Sequence, residues 1–266
     1  MPRHRGTFKP DKEEPYELSR SRVENFIRCP ACFWFDRARG VKFPSIPGFN
    51  LNTNTDILLR RDFDVYRAKQ QPHPFMVMHG LGHLVPYAHE DLEKWENSKS
   101  FGAAKHFNTL HEETNILFGG GLDDVWQNKE TGELHIVDYK STAQGVQGPK
   151  KQPKPIDLEG QYKAGYKRQM DMYQWVMRGM GYPVNDTGYF VYVDGQHWGV
   201  DGMLDEDPAT ATMGFSAALL PYRGNDGWVE GTLRAIKKLL TSDQCPEHSE
   251  GCEQKIFLDG VAEALR

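Results

Sequence analysis

The chain has 266 residues, a net charge of −5, and 38% hydrophobic and 12% aromatic residues. This composition excludes a disordered chain, and the negative charge argues against a strongly basic, chromatin-type binder, although a cleft can still hold nucleic acid through its local field. No run approaches the ~18 apolar residues of a membrane span, and the basic N-terminus lacks the apolar stretch of a secretory signal, so we expect a cytoplasmic protein that does not bind membranes.

The N-terminal part of the chain divides into a polar tail and a first helix. Residues 1–15 are rich in charged and polar side chains and are expected to form a flexible tail. We expect a single domain over residues 16–266, with a helical N-terminal part and a cysteine-bearing C-terminal tail. Ser21 and Glu24 have the spacing of a capping box, which predicts a helix that begins there and runs into the sequence CPACFWFDR.

The rest of the chain alternates between helical and strand patterns. The spacing of apolar residues predicts helices over 53–69, 159–180 and 227–240 and strands near residues 116, 134, 187 and 212. The residues between these elements at 70–112 and 144–155 are rich in proline, glycine or charge and predict irregular segments. This order predicts an α/β or α+β fold with a central mixed β-sheet flanked by helices.

One stretch, residues 118–142, combines a hairpin pattern with a group of charged side chains. Two apolar–polar runs flank a polar segment at 127–133, which predicts a β-hairpin. Because side chains alternate along a strand, Asp138 and Lys140 share a face, and Asp123 can join them across the turn. Carboxylates bind Mg²⁺ or Mn²⁺ in phosphate chemistry, and the lysine can offset charge on phosphorus. The pattern predicts a metal-dependent nuclease; the alternative is a solvated strand edge.

Five stretches of the sequence, spread over residues 18–255, form a combination found in one group of nucleases. They are LSRSRVENFIRCPACFW, Gly120–Gly121–Leu122–Asp123, Asp138–Tyr139–Lys140, the segment Gln169 to Tyr173, and the tail around Cys252. Together they resemble the RecB-like branch of the PD-(D/E)XK nuclease superfamily and are similar to its CRISPR-associated and AddB-type iron–sulfur exonucleases. The resemblance implies a restriction-endonuclease-like core and hydrolysis of phosphodiester bonds in DNA.

The resemblance also implies roles for individual residues. Catalytic roles pass to Asp123, Asp138, Lys140, Gln169 and Tyr173. Of these, Asp123 and Asp138 would bind Mg²⁺ or Mn²⁺ together with the main-chain carbonyl of Tyr139. Independently of the resemblance, Gln169 and Tyr173 are four residues apart and share one face of the predicted helix, where simple core packing of Tyr173 is the alternative.

A further metal ligand is implied on a helix that precedes the sheet. The segment LNTNTDILLRRDFD fits that position and places Asp56 at the ligand site, where the family more often has histidine. The rival ligands are His79 and His83, whose spacing could place both imidazoles on one helical turn. The sequence favours Asp56 and leaves the histidines open.

The four cysteines occur as an early pair and a late pair, Cys29 with Cys32 and Cys245 with Cys252. In a cytoplasmic protein they are expected to be thiols or metal ligands rather than disulfides. The resemblance implies an iron–sulfur cluster held by one early and three late cysteines, and the paired arrangement departs from it. Two possibilities stay open: a four-cysteine site for an iron–sulfur cluster or zinc, and free thiols.

A basic group of residues around the helix after the hairpin is the expected contact with DNA. It comprises Lys150, Lys151, Lys154, Lys163, Lys167 and Arg168, and the alternative is a solvated loop and helix face. The resulting hypothesis is exonuclease-like processing of single-stranded or duplex DNA ends in repair, recombination or phage/CRISPR-type defence, with protein partners there. The alternatives are an inactive nuclease-fold DNA-binding or adaptor protein and a zinc-stabilised scaffold.

Overall fold

A mixed β-sheet of five strands organises the chain. The structure, a computed structural model, describes residues 3–44, 48, 50–144, 146–147, 152–197 and 201–266. In chain order its elements are β1 Tyr16–Ser19, α1 Arg20–Arg28, α2 Pro30–Ala38, α3 Asn50–Lys69, α4 Pro74–Met78, β2 Leu84–Pro86, α5 Leu92–Glu96, β3 Asn108–His111, a 3-10 turn Glu112–Thr114, β4 Ile116–Gly119, β5 Asp124–Asn128, β6 Leu134–Thr142, β7 Val146–Gln147, β8 Gln152–Pro153, α6 Gln161–Gly179, β9 Thr187–Gly195, β10 Phe215–Arg223, α7 Val229–Leu240 and α8 Glu253–Ala264.

The large sheet has the strand order β10-β9-β6-β5-β2. The central pair β6 and β9 is parallel, and the other neighbours are antiparallel. A parallel pair needs a long crossover, which here contains α6. β5 and β6 form an antiparallel hairpin, as predicted. The mixed sheet and its helices confirm the expected α+β class.

A second sheet of three strands, in the order β1-β4-β3, lies at the start of the hairpin. β1 runs parallel to β4, so that Ser19 pairs with Gly119. The first helix begins one residue after Ser19, and the hairpin strand β5 begins a few residues after Gly119. The pairing therefore brings the start of α1 next to the start of the hairpin.

Helices cover both faces of the large sheet because β6 alternates apolar side chains between them. On one face Ile136 packs with Met170 of α6 in the larger core. On the other face Val137 packs with Phe63 of α3 in the smaller core. Asp138 is two residues after Ile136 on the same strand, so its side chain also lies on the α6 face.

Several segments differ from the sequence-based expectation. Residues 3–15 do not form the expected flexible tail. The ring centroids of His4 and Phe8 lie 4.8 and 5.2 Å from that of Tyr16. Burial of these three aromatic rings orders the segment. The first helix is interrupted at Cys29, whose extended backbone separates α1 from α2, and Pro30 begins the second helix, where its missing N–H costs nothing.

Residues 70–112 contain more structure than their irregular pattern predicts. They include α4, α5, β3 and the short edge strand β2, which pairs with β5. Because α4 ends at Met78, His79 and His83 do not share a helical turn as proposed. No helix in the described part of the chain combines the length and apolar character needed to cross a bilayer.

Candidate active site and metal centre

Asp123 and Asp138 lie on the same face of the hairpin. The pairing of Asp124 with Val137 places the preceding Asp123 opposite Asp138. Oδ2 of Asp123 also accepts a hydrogen bond of 3.0 Å from the backbone N–H of Tyr139. The α6 face of the hairpin therefore carries two neighbouring carboxylates, in the arrangement expected from the sequence.

The adjacent Asp124 faces the opposite side and has a structural role. Its carboxylate receives hydrogen bonds from Arg67 Nη2 at 2.7 Å, Tyr139 Oη at 2.6 Å and Trp126 Nε1 at 3.3 Å. A fully buried carboxylate is stable only with such a complete set of donors. Asp124 thus links α3 to the hairpin. The side chain of Asp123 lies on the other face, towards α6.

Lys140 forms an ion pair with Asp138. Its Nζ also donates a hydrogen bond of 3.2 Å to the main-chain carbonyl of Tyr139 and lies 5.0 Å from the centre of the Tyr166 ring. Burial alone would lower the pKa of Lys140, but the charges of Asp138 and Asp123 outweigh burial and raise it. The lysine is therefore held as a cation beside Asp138. In this arrangement the Tyr139 carbonyl, the expected metal ligand, accepts from Lys140.

Helix α6 contributes the glutamine and tyrosine expected from the sequence. Gln169 Nε2 donates a hydrogen bond of 2.6 Å to Oδ1 of Asp138. Tyr173, one turn later, lies beside Gly120, where an added Cβ would be 3.1 Å from the tyrosine ring. Both side chains thus reach the hairpin, and Tyr173 also packs in the core.

A cavity of about 580 Å³ opens in front of these side chains. Its wall includes Asp56 of α3 together with Asp123, Lys140, Gln169 and Tyr173. His79 and His83 are exposed elsewhere, and they do not line this cavity. Among the rivals for a further ligand, only Asp56 lies at the cavity.

The acids at the cavity are held in an environment that opposes negative charge. Burial, with the nearby charge of Asp138, raises the pKa of Asp123 to about 8. Burial also raises the pKa of Asp56, against the opposing effect of Lys140. Burial is the main cause of both shifts, and a cation bound beside these carboxyl groups would favour their charged forms.

The wall of the cavity nevertheless carries more cationic than anionic side chains. Glu17, Asp56 and Asp123 are its carboxylates, and its six cationic side chains are those of Arg5, Arg20, Arg22, Arg37, Lys99 and Lys140. Arg22 and Arg37 are paired with Asp36, so the excess comes from the other four. In a protein of net charge −5, this local excess favours a polyanionic ligand.

The described members of the basic group expected to contact DNA do not line the cavity. Lys163 Nζ donates a hydrogen bond of 3.1 Å to Tyr192 Oη, and Arg168 forms two hydrogen bonds with Glu24. Lys167 lies 3.5 Å from Glu159. Arg168 and Lys167 are thus partly neutralised by acids. Lys150 and Lys151 lie outside the described residues, and Lys154 is exposed.

Three of the four cysteines come together with a histidine. The ligand atoms of Cys29, Cys32, His248 and Cys252 all lie within 4.8 Å of one another. Cys245, the expected fourth member, is exposed outside this group, and its Sγ contacts the carbonyl of Pro246 at 3.3 Å. The expectation of a four-cysteine site is therefore corrected: the turn that ends at Cys252 brings in His248, four residues earlier.

The cysteine–histidine group differs from the acidic site in how closely its atoms approach. Within the described ranges it is the one set of three or more such side chains gathered closely enough for a shared ion. Asp56, Asp123 and Asp138 line or flank one cavity, but their carboxylate oxygens are not all as close to one another as the four ligand atoms of the cysteine–histidine group.

Two residues at these sites escaped the sequence analysis. One is His248, which lies four residues before Cys252, a short spacing like that between the last two ligands of many zinc sites. Arg20, which lies beside Tyr173 and Asp138, has no local signal, because the pairing of β1 with β4 brings it there.

No protein-family model, curated protein or solved structure matches this chain.

Proposed function

We propose that the chain is a divalent-metal-dependent nuclease of the PD-(D/E)XK type that hydrolyses phosphodiester bonds in DNA. The observation that carries the proposal is the convergence of Asp123, Asp138 and Lys140 on one face of the β5–β6 hairpin, at a cavity rich in cationic side chains. The central mixed sheet with helices on both faces is compatible with the restriction-endonuclease-like core that the sequence resemblance implies.

The donor set at the cavity fits Mg²⁺ or Mn²⁺ in its chemistry. Asp56, Asp123 and Asp138 offer hard carboxylate oxygens, which these ions prefer. Oδ2 of Asp138 is buried and forms an ion pair with Lys140. A cation bound by this oxygen would share it with the lysine. When bound, the cation would supply Lewis acidity toward a phosphate ester.

The side chains around the acids have separate tasks in this proposal. Lys140 holds a positive charge beside the carboxylates and can stabilise charge that develops on a phosphate oxygen. Gln169 orients Asp138 through its hydrogen bond. Arg5, Arg20 and Lys99 along the wall would hold neighbouring phosphates of the DNA strand, since a strand carries one charge per nucleotide. Arg22 and Arg37 are already paired with Asp36.

The proposal is tested by cleavage of single-stranded and duplex DNA in the presence of Mn²⁺ or Mg²⁺. We expect Asp123→Asn and Asp138→Asn each to reduce the rate at least about a hundredfold, because each removes a ligand and a charge. Asp64→Asn is the control, since Asp64 lies on the same helix as Asp56 but is half exposed and paired with Arg67. Cleavage by either hairpin variant at the wild-type rate would refute the proposal.

A DNA-binding protein that does not cleave is the second candidate. The specific observation in its favour is that the three carboxylates do not meet as closely as the cysteine–histidine ligands do. Under this alternative the wild-type protein binds DNA, and Mn²⁺ neither tightens binding nor produces cleavage. The same assay therefore separates the two candidates.

A further inference from the structure

The cysteine–histidine group has the dimensions of a coordination sphere around one metal ion. Nδ1 of His248 lies 3.4 Å from Cys29 Sγ, 3.6 Å from Cys32 Sγ and 3.5 Å from Cys252 Sγ. The two sulfurs of Cys32 and Cys252 are 3.5 Å apart. The imidazole nitrogen is thus almost equally distant from three thiols that come from opposite ends of the chain.

We propose that Cys29, Cys32, His248 and Cys252 bind a single tetrahedral zinc ion that fastens the C-terminal segment to α2, in place of the iron–sulfur cluster implied by the sequence resemblance. The proposal concerns the fold of the C-terminal segment and is independent of the nuclease activity. It uses a histidine and leaves Cys245 out.

The distances favour one ion over a cluster. With Zn–S bonds of ~2.3 Å and Zn–N bonds of ~2.0–2.1 Å, a tetrahedral site separates sulfur from nitrogen by about 3.6 Å and sulfur from sulfur by about 3.8 Å. Four of the six separations between ligand atoms, at 3.4–3.6 Å and 3.5 Å, are close to these values, and all six are within 4.8 Å. In a four-iron cluster each thiolate ligates a different iron atom, so that the cluster body holds the sulfurs much farther apart.

Local structure also prepares the three thiols to act as thiolates. Cys29 is the N-cap residue of α2, Cys32 lies in the first turn of the same helix, and Cys252 is the N-cap residue of α8. The N-terminus of a helix carries partial positive charge, which stabilises a thiolate. Gly251 adopts φ +69°, a left-handed conformation that glycine allows without strain, and it shapes the turn that presents Cys252.

The metal would be the main attachment of the end of the chain. Before the site, Trp34 Nε1 bonds the carbonyl of Ser242 at 3.1 Å and Arg39 bonds that of Asp243 at 3.1 Å. After it, every residue of α8 is exposed except the half-buried Gln254. Little apolar burial therefore holds α8 to the domain. Metal binding can supply that missing stability, because the unfolded chain offers no formed site.

The first test is metal analysis of the full-length protein purified without oxygen. We expect about one zinc per chain and little iron or acid-labile sulfide. Cys252→Ser and His248→Ala should lose most of the zinc, and the matched variant Cys245→Ser should retain it. Iron with sulfide in comparable amounts would overturn the proposal, as would a loss of zinc in Cys245→Ser equal to that in Cys252→Ser.

The second test remains decisive if the protein is isolated without metal or if a variant fails to fold. Co²⁺ added to the reduced wild-type chain should give the intense visible bands of a tetrahedral site, and Zn²⁺ should displace it. His248→Cys should keep the site and raise the thiolate charge-transfer absorbance by about a third, since three thiolates become four. Absence of tetrahedral bands at micromolar protein would refute the site.

The third test addresses the attachment. Removal of zinc by a chelator should expose residues 241–266 to proteolysis while the remainder of the domain resists. Equal protection of this segment with and without zinc would overturn the fastening role. DNA cleavage is not a readout in any of these tests, so failure of the nuclease proposal would leave their outcomes unaffected.

Discussion

Gln169 of helix α6 donates a hydrogen bond of 2.6 Å to Oδ1 of Asp138 on strand β6. Both side chains are buried, with 6% and 1% of their surface exposed. The bond joins the helix that follows the hairpin to the carboxylate at the centre of the proposed active site. The orientation of Asp138 therefore depends on the packing of α6 against the sheet.

This relationship predicts a specific effect of Gln169→Leu. Loss of the donor leaves Oδ1 of Asp138 unpaired, and we expect a stability loss of ~1–3 kcal/mol. We also expect the Mn²⁺ concentration for half-maximal cleavage to rise several-fold, because Asp138 is no longer held in place. Denaturant unfolding and metal titration of the cleavage rate measure the two effects.

Gln174→Leu is the matched control for that prediction. Gln174 is also buried on α6, but its Nε2 bonds the carbonyls of Asn185 and Asp186 away from the cavity. We expect a similar loss of stability without a change in the Mn²⁺ requirement. Equal shifts of the Mn²⁺ requirement in both variants would show that Gln169 acts through general stability alone.

Gly119, before the hairpin, and Gly231, on α7, should respond in opposite ways to substitution by alanine. A Cβ at Gly119 would overlap the carbonyl of Phe107 and lie 2.9 Å from Cα of Asn108. Because these are backbone atoms that cannot yield easily, Gly119→Ala should cost ~1–3 kcal/mol. Gly231→Ala, in an open position on α7, should stabilise by about 1 kcal/mol. Thermal or denaturant unfolding compares them, and effects of the same sign would contradict the close approach at Gly119.

The cations at the cavity predict a change in the salt dependence of DNA binding. Arg5→Gln combined with Lys99→Gln should weaken binding and reduce the slope of log K against log salt by ~0.9 for each duplex phosphate that the protein no longer neutralises. Glu17 lies 3.9 Å from Arg5 but already forms two hydrogen bonds with Arg3. Lys167→Gln combined with Arg168→Gln should change the slope less, because Glu159 and Glu24 already pair with these residues. Titrations in EDTA at several salt concentrations measure both slopes. A larger change in the second pair would favour the helix face expected from the sequence.

His135 predicts a pH-dependent part of the stability. Burial lowers the pKa of His135, and its Nδ1 bonds the carbonyl of Thr187 at 2.8 Å. The unfolded chain therefore takes up a proton more readily than the folded chain once the pH falls below the ordinary value of about 6.5. This contribution to stability is present at higher pH and is lost as the pH falls toward the lowered value.

We therefore expect His135→Gln to unfold with a shallower pH dependence than the wild type between about pH 7 and pH 5. The control His79→Gln replaces an exposed histidine and should keep the wild-type profile. The measurement is the free energy of unfolding at each pH. Parallel profiles for His135→Gln and the wild type would contradict the prediction.

Local patterns in the sequence were sufficient for the hairpin and for the faces of its side chains. Alternation along a strand is set by neighbouring residues, so Asp138 and Lys140 had to share a face wherever the strand lay. The same holds for Gln169 and Tyr173, since a helical spacing of four repeats the same direction. These predictions needed no knowledge of the rest of the fold.

Only the tertiary structure determined which residues from distant parts of the sequence lie at the two sites. Arg20 reaches the cavity because β1 pairs with β4, and the N-terminal segment is ordered because aromatic rings pack against Tyr16. His248, rather than Cys245, lies with Cys29 because of the conformation of one C-terminal turn, more than two hundred residues along the chain. The direction of a side chain within a helix or strand depends on a few neighbouring residues. Contacts between segments far apart in sequence depend on the tertiary fold of the whole chain.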